Sequence, residues 1–165
     1  MVPAATLVLH LRYTAWASAR LTAAAAQLTP VELAHDFQTS EKSILGTLAH
    51  IFAADRVWWH RVNGTVPPQF IDPEKDFLLS TLQTDWPALL AQWEQLIAAQ
   101  HEPALAAKIE YKDLKGNPHA TPLWQIVLHV VNHATHHRGQ VSGMIRTLGH
   151  TPPPLDLIAY YRTLG

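Results

Sequence analysis

The stretch TPLWQIVLHVVNHATHHRGQVSGMIRTLG, Thr121–Gly149, decides how the rest of the chain is read. Apolar residues recur through it at three- and four-residue steps. It therefore predicts one long amphipathic helix, with Thr121 as cap, Pro122 at the first helical position and Gly149 as the stop after Leu148. Four of the chain's eleven histidines fall within nine residues of this stretch. His129, His133 and His137 are spaced by four, and at about 100° per residue the outer two lie roughly 40° either side of His133. All three can face one cavity. His136 lies farther round and, with Arg138, points toward another helix, a solvent edge or the far wall of the same cavity.

A helix with such an apolar side needs partners, and the sequence upstream supplies them. LRYTAWASARL belongs to a first helix from about Ala5 to Gln27, with Leu7, Leu11, Tyr13, Trp16 and Leu21 on its buried side. Thr29, Pro30 and Glu32 then form a capping signal for a short helix ending near Asp36. A second long helix begins between Thr39 and Ser43 and runs to Arg61, with Ile44, Leu48, Ile51, Phe52, Asp55, Trp59 and Val62 along one side and Asn63–Gly64 as the stop. Thr65 to Leu82 is proline-punctuated without a sustained period, although KDFLLSTL, Lys75–Leu82, suits a short turn of helix.

TDWPALLAQWEQLIAAQ restarts the pattern as a third long helix. Thr84 or Asp85 serves as cap, Pro87 sits in the first turn, and Trp86, Leu89, Leu90, Trp93, Leu96 and Ile97 form the apolar side. Ala106–Ala120 alternates apolar and charged residues around a Gly116–Pro118 turn, which suits a small hairpin. Pro152–Pro154 separates the histidine helix from a short terminal helix around Asp156–Arg162. The expected fold is all-α: one domain over residues 1–165, four main helices closing a bundle, a small hairpin insertion and a short terminal helix.

Composition narrows the function. At 165 residues and 48% hydrophobic content the chain can bury one substantial core. Twelve basic against thirteen acidic side chains leave no broad positive field for nucleic acid or an anionic membrane. Lys108, Lys112 and Lys115 form a small basic group, but Glu110 and Asp113 interrupt it, so nucleic acid is not an expected partner. With no cysteine the chain has no disulfide, thiolate ligand or thiol nucleophile, which fits a reducing compartment. MVPAATLVLHLRYTAW lacks a basic leader with a long apolar core, and no segment reaches spanning length uninterrupted, so the expectation is a soluble, cytoplasmic protein with no membrane partner. Histidine and carboxylate chemistry remain.

Two imidazoles one helical turn apart can share a metal ion, but no HExxH glutamate stands between His133 and His137, which argues against that class of protease. A catalytic ion wants a third ligand and an open position. His50, in LGTLAHIFAADRVWWH, is the best third candidate because another long helix carries it; periodicity leaves it at the edge of that helix's apolar stripe, beside Ile51 and Trp58. On spacing alone, His133 and His137 read more readily as buried polar residues bonded across a helix interface than as ligands, and His50 as an edge or core histidine. Asp55 reads as an interhelical or surface ion pair, or as a group orienting a histidine, and Arg138 as a structural pair or an anion binder. Gly139 suits close helix packing, and Trp58, Trp59, Trp93 and Trp124 read as packing residues before pocket walls.

SILGTLAHIFAADRVWW followed by LWQIVLHVVNHATHHRGQVSGMIRTLG closely resembles the DinB/YfiT-like family of metal-dependent proteins, and LRYTAWASARL and PPLDLIAYY extend the resemblance over nearly the whole chain. The NHxTHHRGQ phrase beside an upstream helical histidine carries most of it. The resemblance implies a four-helix bundle, often a homodimer, with one divalent ion on three histidines from two helices. Those positions fall on His50, His133 and His137; zinc or nickel suits them better than a metal needing an oxygen-rich shell. His129 is left as the catalytic candidate, able to donate a hydrogen bond or move a proton, with Asn132 and Gln140 as positioning groups. The implied activity is a metal-dependent hydrolase, or a transferase using a small-molecule thiol as cosubstrate on an unidentified small substrate. The alternative is a non-enzymatic stress-response or interaction module that the metal only stabilises.

Overall fold

The computed structural model describes residues 2–66 and 78–165. Its elements are α1 (Ala4–Ala25), α2 (Pro30–Ala34), α3 (Ile44–Val62), α4 (Leu79–Ala98), α5 (Glu102–Ala106), β1 (Lys108–Lys112), β2 (Pro118–Pro122), α6 (Leu123–Thr147) and α7 (Leu157–Tyr161). The long helices α1, α3, α4 and α6 make an all-α four-helix bundle, and β1–β2 is the hairpin insertion. In α1 the fully buried Leu7, Leu11, Ala17, Leu21 and Ala25 recur mostly at steps of four, an inward stripe on an otherwise alanine-rich, strongly helix-forming segment. It packs on α4 and α6, while α3 packs on α6 and α4, giving the ring order α1, α4, α3, α6. Trp86 and Trp93 of α4 are fully buried in the shared core with Leu48 and Ile51 of α3 and Val127 and Val130 of α6. At roughly 1.5–3 kcal/mol for each large apolar side chain removed from water, these contacts hold the helices in register.

Local signals set most helix ends where the sequence places them. Thr29 and Glu32 form a reciprocal capping box on α2, and the Ser43 hydroxyl accepts from the Gly46 amide at the start of α3. Asn63 caps α3, and Gly64 follows at φ +64. Asp156 begins α7, which Tyr13 and Trp16 hold against α1 through ring contacts to Tyr160, with Tyr13 donating to the Leu155 carbonyl at 2.8 Å.

Two starts differ from the sequence reading. α4 begins at Leu79 instead of Thr84 or Asp85, so Pro87 stands inside it and Thr84 bonds back to the Ser80 and Thr81 carbonyls. Leu82 and Trp86, buried one turn apart, draw the extra turn onto the core and outweigh the bond Pro87 cannot donate. Lys75–Phe77 of the predicted short turn lie outside the described residues, and Leu79–Leu82 belong to α4.

The histidine helix begins at Leu123, because Thr121 and Pro122 are the end of β2, paired with Ile109 and Lys108. The ladder outcompetes the local cap, and the Leu123 amide closes onto the Ala107 carbonyl at 3.0 Å. Asp113 organises the hairpin turn by accepting from the Lys115 and Asn117 amides, and Gly116 supplies φ +86. The short α5 has no counterpart among the sequence expectations. No helix among the described residues is long and apolar enough to cross a membrane.

Candidate metal centre

The seam between α3 and α6 brings together the three histidines that the sequence singles out. His133 and His137 stand one turn apart on α6 with ring centroids 4.5 Å apart, and the His50 ring from α3 lies 5.1 Å from the first and 4.5 Å from the second. One nitrogen from each ring lies within 4.8 Å of the others, and this is the one such group of possible metal ligands among the described residues. His50 Nε2 meets His133 Nε2 at 3.1 Å. Two ligands about 2.0–2.1 Å from a tetrahedral zinc are separated by about 3.3 Å, so the spacing fits such an ion.

The electrostatics favour neutral imidazoles at His50 and His133, the form that can ligate an ion. Burial pushes His50 down, against the opposing pull of Glu41 and with a further push from His137. Burial, then the neighbouring His137 and His50, push His133 down to about 4. A hydrogen-bonded core cluster would satisfy these nitrogens with protein donors and acceptors. Here His50 Nε2 and His133 Nε2 share one hydrogen bond across the seam, the tautomer deciding which donates, and among the described residues the buried Nδ1 of His133 has no partner.

The outer nitrogens of the other two rings are engaged. Gln140 Oε1 lies 2.7 Å from His137 Nδ1, and since an amide oxygen only accepts, Nδ1 carries the proton and Nε2 keeps its lone pair for the cluster. Glu41 Oε2 lies 3.6 Å from His50 Nδ1. Gln140 was legible as a positioning group. Glu41 was not: it sits in the loop before α3, outside any periodic face.

His129 is exposed at the rim, its ring 5.8 Å from His133 and 5.1 Å from Trp58. Burial, then the positive charge of Arg61, hold it below the usual imidazole range. Trp58 also meets Tyr111 of the hairpin at 4.9 Å, and the Arg61 guanidinium lies over both rings while donating to the Lys112 carbonyl at 3.0 Å. The hairpin is thereby fastened to α3 beside His129. His136 is exposed with its ring 4.9 Å from His137, and Asn132 is exposed.

The remaining polar candidates belong to the core. Asp55, expected in an ion pair, is fully buried and accepts from the Trp86 indole at 2.8 Å; burial pushes its carboxyl up to about 7. The packing of α4 on α3 hides it from solvent, which disfavours the charge an ion pair would need. Arg138 is 1% exposed, lies over the Tyr13 ring and donates to the Ser18 and Thr135 hydroxyls, a structural role. Gly139 does not serve close packing, because a Cβ there would meet nothing within 4 Å. Trp86 and Trp93 are core, Trp59 and Trp124 pack against it, and Trp58 meets His129 edge-on.

The sequence model of the DinB family matches residues 1–163. Protein DinB of Bacillus subtilis (strain 168) is 22% identical over 156 residues, covering 90% of this chain and 89% of its own length. The crystal structure of a DinB-like protein from Bacillus cereus ATCC 10987 superposes with a TM-score of 0.69 at 17% identity, over 90% of this chain and 95% of that one, a likeness of fold.

Proposed function

The chain belongs to the DinB family, and from that premise we propose that it is a mononuclear metalloenzyme in which His50, His133 and His137 hold one divalent ion, zinc or nickel. The observation that carries the reading is the convergence of three imidazole nitrogens from two helices within 4.8 Å. A bound ion of this kind supplies Lewis acidity, lowering the pKa of a nucleophile or polarising an electrophile.

The chain's own residues do the rest. Gln140 holds the His137 tautomer, and the α3–α6 seam fixes the angle between the two ligand-bearing helices. His129, exposed beside the cluster and weakened as a base by burial and Arg61, exchanges a proton with substrate at one of its ring nitrogens. Trp58, Tyr111 and Arg61 wall one side of the approach. Hydrolysis, or transfer to a small-molecule thiol, is the class of reaction such a site serves.

Turnover is favoured over a purely structural role because a closed structural site needs four protein ligands, whereas three gather here among the described residues and two of them are only half-buried. A homodimer in the cytoplasm is part of the same proposal. A metal-replete crystal structure with anomalous scattering at the zinc and nickel edges tests the site. The expected result is one ion on the three histidines with an open position on the His129 side. A fourth protein ligand closing the shell would favour the structural module. With the ion bound, His129→Asn should lower turnover by about 10²- to 10⁴-fold, the usual range for a general acid or base, and leave metal affinity unchanged.

A further inference from the structure

We propose that Glu41 is a positioning residue of this centre: its carboxylate accepts the His50 Nδ1 proton from behind the ring and aims the Nε2 lone pair at the point shared with His133 and His137. The inference rests on the reading of the three histidines as a metal site. It begins with the two faces of one imidazole. Nε2 of His50 meets Nε2 of His133 at 3.1 Å, while Nδ1, on the opposite edge of the ring, faces Glu41 Oε2 at 3.6 Å. Glu41 therefore stands outside the cluster and does not compete with the ring for an ion. The pair is in ion-pair range, and a closure of about 0.7 Å brings it to hydrogen-bond length. Both side chains are about a quarter exposed, 23% and 25%, so solvent screens the contact only in part.

The local backbone is built around this placement. A Cβ on Gly46 would lie 2.3 Å from the Glu41 carbonyl oxygen, a backbone atom that cannot swing away as a side chain would. Glycine costs a helix interior about 0.5–1 kcal/mol against alanine and less near its end, and here it is what lets the Glu41 segment lie against α3. The same loop holds two non-glycine residues, Gln38 and Lys42, in the left-handed region at φ +59 and +60. It is closed by Phe37 N–H to the Lys42 carbonyl at 2.8 Å and Lys42 N–H to the Thr39 carbonyl at 3.0 Å. A carboxylate on the outer nitrogen of a ligating histidine sets its tautomer and raises its basicity, and losing such a partner typically costs 10–100-fold in metal affinity.

Calorimetric Zn(II) titration of the full chain and of Glu41→Ala, Glu41→Gln, Gly46→Ala and His50→Ala tests the proposal, alongside thermal melts of the metal-free proteins. The expected result is one zinc per chain for the unmodified protein and about 10–100-fold weaker binding for Glu41→Ala at unchanged metal-free melting temperature. An intermediate loss is expected for Glu41→Gln, which keeps an acceptor without the charge. Gly46→Ala should weaken binding in the same direction by displacing the loop. In the Co(II)-loaded protein, the hyperfine-shifted, exchangeable Nδ1 proton of His50 should be resolved and should broaden by solvent exchange in Glu41→Ala, a signature a merely structural glutamate would not move. Unmodified zinc affinity and an unmodified proton signal in Glu41→Ala, beside lost binding in His50→Ala, would overturn this proposal alone. A protein that bound no zinc at all would overturn the metal reading and this proposal with it.

Discussion

His50 and Asp55 lie little more than one turn apart on α3, and burial acts on both in the same way, by disfavouring the charged form. It pushes the imidazole down and the carboxyl up. What differs is the company. Asp55 faces α4, sealed in the core and bonded to the Trp86 indole, whereas His50 faces α6 at a half-open seam where its nitrogen meets another imidazole nitrogen. A buried carboxyl with a fixed donor is part of the packing. Imidazoles that share a hydrogen bond through the nitrogens they turn toward one point can instead turn those lone pairs to an ion, and the protein carries the two groups on opposite sides of one helix.

The sharpest way to break this comparison is to delete one member from each side. His133→Ala should weaken zinc binding by about a thousand-fold or more, since a zinc site's roughly 10–16 kcal/mol is shared among few ligands, with little change in metal-free melting temperature. Asp55→Ala should do the reverse. The unpaired Trp86 N–H costs about 1–3 kcal/mol, which lowers the melting temperature by about 2–4 °C per kcal/mol, while zinc affinity is retained. Titration calorimetry and melting curves check both. Loss of zinc binding in a folded Asp55→Ala protein would show that the two regions act as one.

A smaller effect separates them by pH in the metal-free protein. Asp55, raised from 3.8 to about 7, binds its proton more tightly when folded, so its contribution is complete below pH 4 and is lost as pH rises toward 7. His133, lowered from 6.5 to about 4, contributes above pH 6.5, and that contribution is lost as pH falls toward 4; the downward shift of His50 acts in the same direction. The two oppose each other between pH 4 and 6.5. Asp55→Asn, which keeps an acceptor for Trp86, should gain stability over the unmodified protein as pH rises from 4 to 7. The gain is on the order of a few kcal/mol, at about 1.4 kcal/mol per pKa unit. Urea unfolding at stepped pH values reads it, and a difference independent of pH would remove Asp55 as its source.

The smallest effect belongs to His136, exposed beside His137 without a nitrogen in the cluster. His136→Ala should leave zinc affinity within about threefold of the unmodified protein, on the scale of a surface substitution worth about 0.5 kcal/mol. A larger loss by calorimetry would bring the fourth histidine of the stretch into the site.

Much of this was legible residue by residue. Thr29 and Glu32, Ser43, Asn63–Gly64 and Asp156 mark helix ends through bonds to their immediate neighbours, so their positions follow from local order. The misplaced starts of α4 and α6 arose where distant partners decided. The burial of Trp86 and Leu82 draws Leu79–Gln83 into the helix, and Ile109 draws Thr121 into a strand. Asp55 shared an apolar stripe with Ile44 and Leu48, a hint of burial, yet nothing in its neighbours pointed to the Trp86 indole, 31 residues away.

By itself the sequence determined four long helices, the hairpin and a row of histidines on one side of α6, because periodicity and capping act within a few residues along the chain. The tertiary structure brought His50, which the sequence offered as a candidate, up to the row, and it alone decided that Glu41 stands behind it and that Asp55 is sealed on the other side. Each depends on how far α3 is rotated about its own axis when it packs. A broad apolar stripe leaves that angle open, and the interlocking of α3 with α4 and α6 sets it.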